Sequence, residues 1–220
     1  MSVEWCGMVK SDSFSENARI MRKEFEQIIK SNRWDDVFSV LEQNPDLINA
    51  TFLDNPLWYS PLPHLTEENA PVEIIEKTIS LGAWRTLKTL NDEKAIDIAL
   101  RKGRQELVRL LNPIYYYNIQ LESLSKIQKH FHEVIIGRIN VLPNWKSLRL
   151  PELEVLLEIK DPSMWFPVPG MYGGFNYRLA FNKDKTVRLI SESWIRVVGG
   201  SGQRLEITSK GSELVEEGFV

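Results

Sequence analysis

The period of apolar and polar positions changes once along the chain. In the first half, apolar residues recur at three- and four-residue steps. Ile20, Phe25, Ile28 and Ile29 share one helical face, and Val37, Val40 and Leu41 share another. Asn32-Arg33 separates these two predicted helices. Asn44-Pro45 ends the second, because the residue before a proline disfavours helical backbone. Two further helix pairs are predicted over 60–84 and 94–113, with Pro71 in the first turn of one second helix and Asn112-Pro113 stopping the last. Leu121, Leu124, Ile127, Phe131, Val134, Ile135 and Ile139 then predict one long amphipathic helix over 120–140.

From Leu148 the period reads as two. Phe175, Tyr177, Leu179 and Phe181 alternate, 182–185 form a turn, and 186–190 return. Residues 192–198 and 203–208 flank Gly199-Gly200-Ser201-Gly202 as a second hairpin. The predicted class is therefore α+β. A tail over 1–14 precedes helical repeats over 15–113, and a helix with an antiparallel meander fills 114–220.

Within the helical part a segment returns. Ser60-Pro61-Leu62-Pro63-His64-Leu65-Thr66 comes back as Lys94-Ala95-Ile96-Asp97-Ile98-Ala99. One constant offset relates His64 to Asp97, Leu65 to Ile98 and Thr66 to Ala99. The same offset carries Ala70 to Gly103, Glu73 to Glu106 and Ile75 to Val108. With a Ser-Pro-Leu start, a Gly-x-x-Glu-apolar second half and a closing Gly82-Ala83, this period resembles the ankyrin repeat. The resemblance implies stacked helix pairs, projecting finger loops and a face that binds another protein. Pro63 reads as an insertion between Leu62 and His64, and Lys94 stands where the family has Ser or Thr. The hydroxyl-to-imidazole bond of the family's turn is thus not implied in either copy. Further on, Trp165-Phe166-Pro167-Val168-Pro169-Gly170-Met171-Tyr172-Gly173-Gly174-Phe175 is similar to a segment of uncharacterised bacterial proteins, a resemblance that supplies no activity.

Charge narrows the partners. The chain has 220 residues with 27 basic and 30 acidic side chains, for a net charge of −3. Neither half carries the basic excess of a nucleic-acid binder, so nucleic acid is not expected. No apolar run reaches the length of a membrane span, and no signal-peptide pattern is seen near Met1. Cys6 is the only cysteine, which suits a reducing compartment and places the protein in the cytoplasm.

Candidate chemistry is sparse. Cys6 has no adjacent histidine, Ser201 lies in a hairpin, and His130 and His132 are two apart on one helix. No catalytic set, metal site or cofactor is expected. Trp58, Tyr59, Trp84 and Arg85 fall where the resemblance places fingers, and are the expected partner-binding residues. Tyr172 and Gly173 mark one glycine-rich loop, read either as a recognition loop or as a bend in the sheet. Gly200 and Ser201 mark another, read as a hairpin turn or as an anion cradle beside Arg196 and Arg204. With Gly200-Ser201 as turn centre, Val197 would face Arg204 and Ile195 would face Glu206.

These residues lead to an expectation of non-catalytic protein recognition, in concrete form a bacterial immunity or antitoxin protein that plugs a toxin. The alternative is a small-ligand or enzymatic β domain carried on the repeats. A homo-oligomer paired through a sheet edge is a third reading.

Overall fold

The computed structural model describes residues 3–181, 186–195 and 200–218. The chain divides into two compact units. One is Met8–Ile114; the other joins Met1–Gly7 to Tyr115–Val220.

The first unit contains three helix pairs: α1 (Glu16–Lys30) with α2 (Trp34–Gln43), α3 (Pro61–Glu67) with α4 (Val72–Ser80), and α5 (Ala95–Arg101) with α6 (Gln105–Leu111). Each pair turns at a residue with left-handed backbone: Asn32 (φ 57), Asn69 (φ 59) and Gly103 (φ 73). Asparagine and glycine are the residues that adopt this conformation most readily. At each turn a backbone N–H reaches back to close the first helix. Arg33 donates to Ile28 (3.0 Å), Ala70 to Leu65 (2.9 Å) and Arg104 to Ala99 (2.8 Å). α3 packs on α5 and α4 on α6. Phe25, Ile29, Leu62, Leu65, Ile75, Ile98 and Leu107 make one continuous core between the pairs.

The three turns correct the sequence alignment. Leu65 and Ala99 hold equivalent carbonyls, whereas the alignment set Leu65 against Ile98. Pro63 is no insertion, since α3 and α5 have seven residues each. Pro61 and Pro63 both fit the first turn of α3, where the backbone N–H has no intrahelical acceptor to lose. The aligned offset is regained only at the second helices, where Val72 and Gln105 open α4 and α6.

The second unit is a six-stranded sheet with sequential order: β1 (Val3–Glu4), β2 (Ser163–Val168), β3 (Gly173–Phe181), β4 (Val187–Ile195), β5 (Ser201–Thr208) and β6 (Gly211–Glu217). β1 runs parallel to β2, and all later pairs are antiparallel. Helix α7 (Leu121–Ile139) covers one face with Leu124, Ile127, Phe131, Ile135 and Ile139. The Phe131 ring lies 5.0 Å from Tyr177 and 6.3 Å from Phe175. Among the described residues no helix is long and apolar enough to cross a membrane.

Three expectations change here. The segment read as a tail is partly structural: Val3 and Glu4 pair with Met164 and Trp165, and Trp5 is buried. The Trp5 indole N–H donates to the Arg149 carbonyl (2.9 Å), and its ring lies 5.3 Å from the Arg149 guanidinium. That buried guanidinium pairs with Glu152, so Trp5 completes the enclosure of an ion pair. Leu153–Glu158, read as β, is a 3-10 helix with four buried aliphatics. The register of the second hairpin also differs. Ile195 faces Ser201 and Glu192 faces Arg204, so the strands meet in the Glu192–Arg204 ion pair. The turn expected at 182–185 lies outside the described residues.

Candidate recognition surface

Two finger loops rise from the first unit. In the first, Phe52 N–H donates to the Tyr59 carbonyl (2.8 Å) and closes the base. Asn55 organises the tip: its Oδ1 accepts from the N–H of Leu57 (2.9 Å), and its Nδ2 donates to the buried Glu26 carboxylate (2.7 Å). Asn and Asp favour such turns because their short side chains bond backbone two residues on. Asp54 and Trp58 take left-handed backbone, at φ 56 and 55. For Trp58 that conformation costs roughly 1–2 kcal/mol, and it is held by Trp58 N–H to Asn55 carbonyl (3.2 Å).

The second finger repeats the design. Thr89 N–H donates to Glu93 carbonyl (2.8 Å), and Asp92 turns at φ 63. Lys88 Nζ donates to Asp92 (2.7 Å) across the loop. The fingers are sewn together where Leu90 N–H donates to Leu57 carbonyl (2.8 Å), one repeat away. Leu90 is 54% exposed at this seam, beside exposed Asn91 and Asp92.

A polar network fixes the fingers to the helices. The Tyr59 ring stacks on His64 (5.0 Å, 7°), and its hydroxyl donates to Glu67 (3.3 Å). Burial, with the Glu67 charge, pushes the Tyr59 phenol up to about 12. Glu67 accepts from Arg101 (2.7 Å), a bond that holds its carboxyl below the usual range, and Arg101 Nε donates to Glu93 (2.8 Å). α3, α5 and both fingers thereby share one chain of charge-assisted bonds. His64 is buried beneath, edge-on to Phe52 (5.4 Å), with Nε2 3.4 Å from Glu68. Burial lowers its pKa, while Glu26 and Glu68 oppose that shift.

The expected partner-binding residues sort differently. Trp58 is half-buried on the first finger. Tyr59 is buried, and its stacking on His64 makes it a strut rather than a surface anchor. Trp84 lies at a finger base, its N–H held by Asn49 Oδ1 (2.8 Å), while Asn49 Nδ2 donates to Gly82 carbonyl (2.9 Å). Arg85 Nε donates to the Leu110 carbonyl (2.9 Å), satisfying the last turn of α6. Leu90 falls within the second expected finger, 84–92, but is not singled out by the sequence. Its signal is an apolar residue among turn formers, one period after Leu57.

The glycine-rich loops serve the sheet. Tyr172 is 75% exposed with φ 50, next to a fully buried Met171. A Cβ on Gly173 would stand 2.0 Å from the Trp194 carbonyl oxygen, and one on Gly174 would stand 2.2 Å from that of Phe166. Both positions require glycine for close strand approach. Gly174 and Gly202 pair with Trp194 from either side, and Trp194 stacks on Trp165 (4.9 Å). The two glycine segments thus flank one tryptophan. Gly200 immediately precedes β5. Ser201 receives both Arg138 Nη1 on its hydroxyl and Arg138 Nη2 on its carbonyl, each at 3.0 Å. Arg204 bridges Glu192 (2.7 Å) and Glu216 (2.6 Å). Arg196 lies outside the described residues. Among the described residues no group of three His, Cys, Asp or Glu side chains could hold a metal ion.

Comparison with family models, with curated proteins and with solved structures finds no match to this chain.

Proposed function

We propose that this protein is a non-catalytic recognition module of the cytoplasm, an ankyrin-like helical stack whose fingers bind another protein. The Leu90–Leu57 bond carries the reading, because it joins two fingers into one rigid ledge one repeat apart. Other bonds between successive pairs keep nearly the same spacing: Arg101 to Glu67, and Arg104 Nη1 to Ala70 carbonyl (2.7 Å). Such nearest-neighbour bonding is what a stack of repeats requires. A ledge already ordered without its partner loses little entropy on binding. Exposed Leu90 between acidic and amide groups gives it an apolar centre with a polar rim. A bacterial immunity or antitoxin protein is the concrete form this reading takes. The anion-binding alternative gains no support from Arg204, which two carboxylates already engage.

The test is capture from a lysate of the source organism with three chains: the parent, Leu90→Asp, and Leu81→Asp as a control at an exposed leucine just after α4. A protein retained by the parent and the control but lost from Leu90→Asp supports the ledge. Equal retention by all three removes it.

A further inference from the structure

We infer that the outer edge of β6 is a second docking site, which takes an extended, basic segment of a partner protein as an added strand. The sheet order ends at β6, and beyond its pairing with β5 that edge meets no other strand among the described residues. The opposite end of the sheet carries only the two-residue β1. β6 is seven residues long, and every residue after Gly211 is exposed. It contains neither proline nor lysine; its charges are Glu213, Glu216 and Glu217, and a bulge leaves Val215 without a facing residue on β5. Its unpaired backbone groups form a template for strand addition, in which main-chain bonds give affinity and alternate side chains give selectivity.

Charge selects the occupant. Glu213 lies directly opposite Glu206 in the ladder, two carboxylates served on that face by Arg188 at 3.2 Å from Glu206. Like charges in facing positions repel, so a cation placed beside Glu213 relieves a conflict the free sheet retains. Glu216 and Glu217 add acid further along, partly answered by Arg204 and Gln203. A second copy of this edge brings no cation to Glu213, because β6 contains neither lysine nor arginine. On the helix side of the sheet Leu214 is half-exposed, opposite Leu205. The fitting segment therefore alternates, with lysine or arginine toward Glu213 and aliphatic residues toward Leu214.

The probe is the capped peptide Lys-Val-Lys-Val-Lys-Val-Lys, titrated into the full chain and followed by amide NMR shifts. Saturable shifts confined to 201–218 are expected. Binding should be at least tenfold weaker for the same peptide N-methylated at alternate residues, and for Glu213→Lys, which removes a repulsion and so folds. A Glu-for-Lys peptide should not bind. Absence of binding by the basic peptide, shifts elsewhere, or indifference to N-methylation would overturn the proposal. Concentration-dependent dimers in sedimentation would overturn it too, by assigning the edge to a second copy.

Discussion

Leu90 N–H donates to the Leu57 carbonyl at 2.8 Å, so the tip of one finger is bonded to its counterpart one repeat earlier. Neither residue has charge or reactive chemistry, yet the bond turns two short loops into one ledge. The two loops are coupled there, because loosening either one displaces the other.

Asn49 makes the corresponding join between the first two pairs, through Gly82 carbonyl and Trp84 N–H. Asn49→Ala removes both bonds, and each is worth about 0.5–1.5 kcal/mol. The expected loss in urea denaturation is about 1–3 kcal/mol with unchanged slope. A urea midpoint equal to the parent's contradicts this role.

His64 makes the first unit sensitive to acid. Its folded pKa is lowered, chiefly by burial, while in the unfolded chain it titrates near the ordinary value of about 6.5. The unfolded state therefore binds the proton first. His64's contribution to stability is full above about pH 6.5 and is lost as pH falls from there toward the folded value. His132, lowered by burial against the opposing pull of the Pro151 carbonyl, acts with the same sign in the other unit. The urea midpoint of the parent should fall between pH 7.5 and 5.5, and fall less in His64→Gln. Equal pH slopes in the two chains would remove His64 from the account.

Trp5 closes the buried Arg149–Glu152 pair. Trp5→Ala opens a cavity beside a buried charge and should cost about 3–5 kcal/mol. Thermal unfolding should show the drop, and a Tm within a degree of the parent's would return residues 3–5 to the status of a tail.

Periodicity made much of this fold legible. The helix pairs, α7 and the alternating strands follow from apolar spacing, because each element buries a face longer than a few residues. What failed was local. Two residues of β1 are too short to show a period, and Leu153–Glu158 buries consecutive aliphatics that suit a strand equally well. The Ser201 register depended on placing a turn among adjacent glycines, whereas the strands meet with Glu192 facing Arg204 in an ion pair and Trp194 facing Gly202. Pro63 looked like an insertion because single-sequence alignment does not reveal that α3 accepts two prolines in its first turn. At the candidate site, aromatic residues drew the reading to Tyr59 and Trp84. Tyr59 finds a ring partner in His64, and the Trp84 backbone is tied to Asn49; neither contact is visible in sequence. Leu90 went unnoticed because an exposed leucine in a loop is ordinary until its bond to Leu57 is seen.

Hydrogen–deuterium exchange of the chain alone and bound to its captured protein tests the ledge most directly. The account predicts protection concentrated in 54–58 and 88–92, with α4 and α6 unchanged. Protection confined to the sheet unit, with both fingers exchanging as in the free chain, would contradict it.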